Sequence, residues 1–221
     1  MSKFLNCFGK VNALVNSNGV VLLDTTESGT HTLDMGQGIY RIVLIGGGGG
    51  GAGMRYGEGH TLFKRYAKGG VAATTDFFLD VPTDCTATIV IGSGGTPDER
   101  GDADTTATDG TPSYITGIPG LVLHCGNGTA GNVRSRTGYP GTMGTLTLES
   151  DNILRVDMNS NEHPITSTAT AGPRANTNWP TNTVYGRGGG VVVGTAVYYG
   201  GTGYCLIRYY NRNYFNLDDM E

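Results

Sequence analysis

Short apolar runs alternate along the chain with stretches rich in glycine, asparagine and threonine. The most continuous run, residues 39–45, is rich in β-branched residues, and in residues 85–91 alanine and isoleucine alternate with threonine and valine. Both patterns predict β-strands, and the first is predicted to be a core strand. Similar runs predict further strands at 71–81, 112–117, 120–125, 144–148, 153–158, 191–199 and 204–210.

Other segments predict a hairpin, a helix and a loop. Residues 11–24 predict a β-hairpin, because the pair Asn18-Gly19 supplies the positive φ angles of a tight turn between two apolar runs. The one predicted helix covers residues 60–67 and ends at a pair of glycines. Residues 159–187, rich in Asn, Thr, Pro and Ser, predict a long loop.

The number and spacing of the strands predict an all-β fold, a β-sandwich or a jelly-roll-like domain with long loops. We place this glycine-rich β domain at residues 26–210. Residues 1–25 are predicted to form an N-terminal hairpin or docking segment, and residues 211–221 a polar C-terminal tail.

Glycine is the outstanding feature of the composition. The chain has 38 glycines in 221 residues, where ordinary usage would give roughly 15. Ordering the excess costs on the order of 10–20 kcal/mol of backbone entropy, comparable to the net stability of a domain. Because the clusters follow strands directly, as after Ile45, Ile91, Cys125 and Tyr199, we expect them to pack closely rather than to act as linkers.

Consecutive glycines can adopt an extended helix of three residues per turn, the polyproline II geometry, which has no internal hydrogen bonds. Several such segments side by side can hydrogen-bond to one another. We therefore predict a small polyglycine II bundle, whose packing residues are Gly46, Gly47, Gly48, Gly49, Gly50, Gly51, Gly188, Gly189 and Gly190. A phosphate-binding loop is not favoured, because no Gly-Lys-Ser/Thr follows the run.

Charge and aromatic residues indicate where the protein contacts a partner. A net charge of −4 argues against nucleic-acid binding. An acidic stretch, 98–109, is interpreted as a solvated loop rather than a calcium site, and a basic and aromatic stretch, 55–68, is predicted to meet it within one chain or between subunits. The candidate contact residues are Tyr56, Lys64, Arg65, Tyr66 and Trp179, although Trp179 also fits a hydrophobic plug for its loop.

The sequence offers no arrangement typical of catalysis or metal binding. The four histidines lack the spacing of metal ligands, and the four cysteines form no Cys-x-x-Cys pair and are predicted to be free thiols. We therefore expect a protein that is not an enzyme and has no cofactor or metal. No apolar run reaches 18 residues, and the first residues do not resemble a signal peptide, so we expect neither membrane insertion nor classical export.

The order of these features resembles the glycine-rich domain of phage tail fibres and related surface proteins. The strand and glycine run at 40–51, the Gly-Ser-Gly-Gly at 92–95, the Gly-Thr-Pro-Ser at 110–113 and the closing segment 200–209 carry the resemblance, which covers roughly residues 26–210. Similar domains occur outside the membrane in some animal receptor kinases. No catalytic residues can be carried over from the family.

The resemblance implies a bacteriophage virion protein, a tail-fibre, tail-tip or adhesin subunit that attaches the particle to its host. Its expected partners are other virion proteins and a host-surface glycan or protein, and a homo-oligomer, such as a trimer, would help to offset the glycine entropy. The alternatives are a capsid decoration or head fibre without receptor binding, and a bacterial surface carbohydrate-binding module. The expected location is the virion, after synthesis in the host cytoplasm.

Overall fold

A computed structural model of the chain describes residues 19–54, 65–100, 104–159, 185–186, 188–189, 191–192, 196–197, 199–213 and 215–217. The strands are β1 (Val20–Thr25), β2 (Gly29–Met35), β3 (Gly38–Ile45), β4 (Ala52–Met54), β5 (Arg65–Ala67), β6 (Thr74–Val81), β7 (Cys85–Ile91), β8 (Asp98–Arg100), β9 (Thr105–Thr106), β10 (Ser113–Thr116), β11 (Val122–Cys125), β12 (Asn132–Arg134), β13 (Thr137–Tyr139), β14 (Leu146–Glu149), β15 (Ile153–Asn159), β16 (Val191–Val192), β17 (Ala196–Val197) and β18 (Tyr204–Tyr210). The predicted all-β class is confirmed.

Two five-stranded antiparallel sheets form a β-sandwich. The first sheet has the order β1-β18-β3-β6-β15, and the second has the order β14-β11-β10-β7-β2. The remaining described strands form three small sheets, β13-β12-β9, β16-β17 and β5-β4-β8, of which only the last contains a parallel pair, β4 with β8. The sandwich is built largely from strands distant in sequence, since β18 lies between β1 and β3.

The core between the two sheets follows from the alternation of side chains along each strand. From the first sheet it takes Tyr40, Ile42 and Leu44 of β3, all fully buried, and from the second it takes Ile89 and Ile91 of β7. The polar ends of core residues have partners: the Tyr40 hydroxyl donates to the Gly36 carbonyl at 2.8 Å.

The opposite face of the first sheet is also buried, which explains why β3 reads as a nearly continuous apolar run. Phe78 at its centre is fully buried and packs against Tyr210 and Phe215. Beside it, Arg41 binds Asp76 through two parallel hydrogen bonds of 2.9 and 2.7 Å. The structure therefore holds an ion pair inside an aromatic layer, with the Asp76 side chain only 2% exposed.

Burial and pairing act in opposite directions on this ion pair. Burial raises the pKa of Asp76, and the hydrogen bonds and charge of Arg41 oppose that rise. The hydrogen bond to Asp76 raises the pKa of the Arg41 guanidinium. The carboxylate thus depends on Arg41 for its stability in this position.

Several predictions are corrected by the structure. Residues 65–67 of the predicted helix are the strand β5, because they pair with β4; residues 60–64 lie outside the described residues. The predicted strand 191–199 is instead the short antiparallel pair β16 and β17. The acidic stretch predicted as a loop contains β8 and β9, and β2 was not predicted.

The N-terminal boundary also differs from expectation. Val20–Thr25, assigned to a separate segment, is the edge strand β1 and pairs with β18. Gly19 before it has a φ of 64°, as the predicted Asn18-Gly19 turn requires. The first half of the predicted hairpin, and most of the long loop at 159–187, lie outside the described residues.

The three described cysteines are free thiols, as predicted, whereas Cys7 lies outside the described residues. Cys125 and Cys205 are fully buried in the core, and the Cys125 thiol donates to the Leu44 carbonyl at 3.4 Å. Burial raises the pKa of both thiols, with a smaller effect of Cys205 on Cys125 and of Asp24 on Cys205. Burial likewise raises the pKa of the Tyr40 hydroxyl.

These groups predict a loss of stability in alkali. They stay protonated in the folded chain but ionise at their ordinary pKa when it unfolds, so their contribution is complete below about pH 9 and falls as the pH rises. With two thiols the free energy of unfolding should fall by up to about 2.7 kcal/mol per pH unit, and more steeply once Tyr40 joins. Urea unfolding from pH 8 to 11 in reductant measures this. In the variant Cys125→Ala/Cys205→Ala, the part of this decrease that is due to the thiols should be absent. If the free energy of unfolding of that variant fell as steeply with pH as that of the unchanged chain, the decrease would not come from the buried thiols.

Candidate functional site

The glycine run after β3 is held by hydrogen bonds from its own backbone amides. The Gly46 and Gly49 amides donate to the carbonyls of Ala73 and Gly70, and the Gly47 and Gly50 amides donate to those of Thr111 and Thr108. The amide of Gly48 donates to a third segment, at the Gly201 carbonyl. Glycines three residues apart therefore bond to the same neighbouring segment, which is the repeat expected of a helix with three residues per turn.

The carbonyls of the run repeat with the same period. Gly47 and Gly50 accept from Gly128 and Gly131, Gly48 and Gly51 accept from Gly95 and Asp98, and Gly49 accepts from Gly189, at distances of 2.6–3.1 Å. The run 46–51 thus lies at the centre of six other segments. We call this assembly the glycine bundle, and its outer segments are 69–73, 92–98, 108–111, 126–131, 188–189 and 200–203.

The backbones in the glycine bundle lie too close for side chains. A β-carbon on Gly47, Gly49 or Gly50 would lie closer than 3.0 Å to the backbone of Ser93, Thr129 or Thr96, a distance that real β-carbons do not show. Those backbone atoms are held in turn by their own hydrogen bonds. The predicted packing residues that the structure describes, 46–51 and 188–189, all lie in this bundle, and Gly190 lies outside the described residues.

Pairs of hydroxyl residues close the outside of the bundle. The amides of Ser93, Thr96 and Thr142 donate to the hydroxyls of Thr111, Thr108 and Thr129 at 2.6–2.7 Å. The hydroxyls of each pair also contact each other at 3.0–3.3 Å. We call these pairs rungs. The rungs were not predicted from the sequence, although the three-residue spacing of Ser93 from Thr96, and of Thr108 from Thr111, is a signal for them.

The rungs predict unequal effects of two similar substitutions. Thr129→Val removes the acceptor for the Thr142 amide, whereas Thr142→Val leaves that hydrogen bond in place. We expect Thr129→Val to reduce the free energy of unfolding by about 1 kcal/mol more than Thr142→Val, because only the former leaves an amide without its partner. Urea unfolding of both variants measures the difference, and equal stabilities would show that water replaces the threonine hydroxyl.

Beyond the bundle, short strands form a distal tip. The glycine run continues into β4, which lies between β5 and β8, and segment 126–131 continues into β12, which lies between β13 and β9. A small apolar cluster of Ala52, Met54, Ala67, Ala107 and Val133 holds these strands together. The tip is therefore a second, smaller packed unit at the end of the bundle.

The exposed side chains of the tip include two of the predicted contact residues. Arg65 and Tyr66 lie on β5 and are exposed, and the Arg65 Nε donates to the Arg136 carbonyl at 2.8 Å. Tyr139, on β13, is half exposed, and Arg134 and Arg136 are exposed in the adjacent hairpin. These three residues were not predicted from the sequence. Tyr56, Lys64 and Trp179 lie outside the described residues.

The basic and acidic stretches begin or end on the same small sheet. β4 pairs with β5, in the basic stretch, and with β8, in the acidic stretch. The two stretches therefore border the same tip within one chain. Acidic side chains also hold backbone there, since Asp104 accepts from the Ser135 amide at 2.8 Å and Asp98 accepts from the Thr106 amide at 2.9 Å.

The described part of the chain contains neither a metal-binding cluster nor a membrane-spanning helix. No group of three or more His, Cys, Asp or Glu side chains is placed to hold a metal ion among the described residues. The same residues contain no helix with the length and apolar character that a membrane span requires.

The fold and the glycine bundle define an all-β protein built around packed glycine segments. Residues 25–215 match the family model described as the glycine-rich domain. The match covers most of the 221 residues, and the chain belongs to this glycine-rich domain family. No curated protein matches the chain significantly. The narrower resemblance to phage tail fibres stays a prediction.

Proposed function

We propose that the chain is a bacteriophage virion protein, a tail-fibre, tail-tip or adhesin subunit that attaches the particle to the host surface. The observation that supports this most is the separation of two ends of the molecule. The described chain enters and leaves the sandwich at one end, which we call the base. The glycine bundle extends from the opposite end of the sandwich and bears the distal tip.

Strand register establishes this polarity. Val20 at the start of β1 pairs with Tyr209, and Tyr210 at the end of β18 pairs with Ile39 near the start of β3. The glycine run begins where β3 ends, after Ile45. Eight residues of strand followed by six of polyproline-type helix span roughly 45 Å. The segments before Gly19 and after Tyr210 thus start from the base, well away from the tip.

The glycine bundle suits the display of a binding surface. Its segments are joined by backbone hydrogen bonds in all directions around 46–51, and the tip is packed on it by its own apolar cluster. A binding site on a rigid scaffold loses less conformational entropy when it binds a partner. The base then remains for docking to other virion proteins, and association of several copies is part of the proposal.

The side chains of the tip have the composition of a recognition surface. Tyrosine and arginine are enriched in protein interfaces because they combine a large contact area with hydrogen-bonding groups. The tip exposes Arg65, Tyr66, Arg134, Arg136 and Tyr139. We propose that they contact the host receptor, and that attachment involves no catalysis by this chain.

Labelling of intact particles tests the location. Gold-labelled antibody against the chain should decorate the tail or its fibres and not the head. Label on the heads alone would show that the chain is a capsid decoration protein instead. If mass spectrometry did not detect the chain in purified particles, the proposal of a virion protein would be overturned.

Competition for host cells tests the role of the tip. The purified chain should reduce adsorption of the phage, and Tyr66→Ala/Tyr139→Ala should weaken this inhibition at least tenfold by removing two exposed rings. Leu154→Ala, at a similarly exposed position on the sandwich strand β15, is the matched control and should inhibit as well as the unchanged chain. Equal inhibition by all three proteins would place receptor binding elsewhere.

A further inference from the structure

The outward face of the second sheet carries hydroxyl and aromatic side chains in register. On β7 the residues Ala87, Ile89 and Ile91 point into the core, so Thr88 and Val90 point outward. In the adjacent strand β10, Thr116 lies opposite Thr88 and Tyr114 lies opposite Val90. Tyr114 in turn lies beside His124 of β11, with ring centroids 6.3 Å apart and ring planes 13° apart.

This row of side chains continues onto the glycine bundle. β7 runs into the segment 92–98, and 108–111 runs into β10, so the rungs Ser93–Thr111 and Thr96–Thr108 extend the line of β7 and β10. Both segments bond to the central run 46–51 on one side and expose their hydroxyls on the other. We call the set Thr88, Thr116, Tyr114, Ser93, Thr111, Thr96 and Thr108 the hydroxyl track. It extends over roughly 25 Å, from the strand and helix rise per residue.

The hydroxyls of the track retain hydrogen-bonding capacity toward a ligand. A hydroxyl has one donor and two acceptor sites. In the two rungs of the track, the hydroxyls of Thr111 and Thr108 each accept a hydrogen bond from a backbone amide. Within the same rungs, the hydroxyls of Ser93 and Thr96 contact only the partner hydroxyl. Side chains held in place by such bonds lose little entropy when a ligand binds.

The composition of the track selects the class of ligand. The outward face of the second sheet bears no lysine or arginine, and Val90 and Val122 are its only aliphatic residues. Its carboxylates, Asp34 and Glu149, lie on the outermost strands β2 and β14, outside the track, so neither a polyanion nor an apolar protein surface is complementary to the track. A neutral polysaccharide is complementary, because its hydroxyls pair with threonine and the C–H face of a sugar ring packs on an aromatic ring.

We propose that the hydroxyl track binds an extended neutral polysaccharide, which lies along β7 and β10 and the first two rungs and packs a sugar ring near Tyr114 and His124. This surface lies along the side of the molecule and is distinct from the tip. The inference does not rest on the location of the chain in a virion, and it adds a glycan-binding surface to the receptor contact proposed at the tip.

Affinity electrophoresis of the whole chain in gels containing dextran, hydroxyethylcellulose or galactomannan tests the proposal. At least one of these polymers should retard the chain. Ser93→Ala/Thr96→Val removes the two hydroxyls that cap no amide, and Tyr114→Ala removes the ring; each should weaken the retardation at least tenfold. Thr142→Val, which removes the corresponding hydroxyl of the third rung, between other segments, is the matched control and should be retarded normally.

The outcomes separate this proposal from the receptor proposal. Tyr66→Ala/Tyr139→Ala, at the tip, should lose inhibition of phage adsorption and keep its retardation by the polysaccharide. Circular dichroism should show that the track variants are folded, since their backbone bonds are intact. No retardation of the unchanged chain by any of the three polymers, or equal retardation of the track variants, would overturn the proposal.

Discussion

Gly49→Ala is expected to reduce the free energy of unfolding by about 4 kcal/mol or more, enough to prevent folding of a domain of ordinary stability. The added methyl group would overlap the backbone of Thr129, and no flexible side chain is there to move aside. The amide and carbonyl of Gly49 are bonded to the Gly70 carbonyl and the Gly189 amide, so the residue itself cannot shift without breaking them. The effect thus arises from close packing, beyond the small difference in propensity between the two residues.

Gly36→Ala is the matched control for this substitution. Gly36 has no positive φ, and the nearest atom to its added β-carbon would be a side-chain oxygen of Asp84 at 3.9 Å, an ordinary contact. Its stability should be within about 0.5 kcal/mol of the unchanged chain, as for most surface substitutions. Soluble expression and urea unfolding of the two variants measure the contrast. A Gly49→Ala protein as stable as Gly36→Ala would contradict the packing described for the bundle.

Arg41→Met is the second substitution with a large expected effect. It leaves the Asp76 carboxylate, 2% exposed, without its two hydrogen bonds, and breaking a buried pair in this way costs about 3–5 kcal/mol. In the variant, burial raises the pKa of Asp76 without opposition from Arg41. The folded state then binds a proton more readily than the unfolded one, so stability should recover as the pH falls from 7 toward 5.

The double variant Arg41→Met/Asp76→Leu provides the control for this interpretation. Replacing both charges by apolar side chains removes the unpaired carboxylate, and buried pairs replaced in this way often lose little stability. We expect it to recover most of the stability that Arg41→Met loses, and to show no recovery with falling pH. Urea unfolding at pH 5 and 7 measures both effects. A double variant less stable than the single variant would show that the pair contributes through packing against Phe78 instead.

Strands with strong local patterns could be predicted from the sequence. β3 and β7 are identified by continuous or alternating apolar residues, and their predicted bounds differ from the observed ones by no more than a residue. β2 could not be predicted, because only two of its seven residues, Leu33 and Met35, are large and apolar; its pairing with β7 determines its conformation. The same holds for β5, where Arg-Tyr-Ala fits a helix as well as a strand until β4 lies beside it.

The candidate site divides in the same way. A run of six glycines directly after a core strand indicates close packing without any structural information, since ordering it is unfavourable in isolation. The outer segments 108–111 and 69–73 contain only one and two glycines, and their place in the bundle depends on hydrogen bonds to distant residues. The tip is composed of strands of two or three residues, too short to produce a periodic signal.

Hydrogen exchange of the glycine amides tests the central claim, that the run 46–51 is the packed centre of the protein and not a linker. Each amide from Gly46 to Gly50 donates to another segment, so these amides should exchange only through global unfolding, as slowly as those of β3 in the same spectra. Exchange of Gly47–Gly50 at the rate of an unstructured peptide, while β3 stays protected, would contradict the glycine bundle and the proposals that depend on its rigidity.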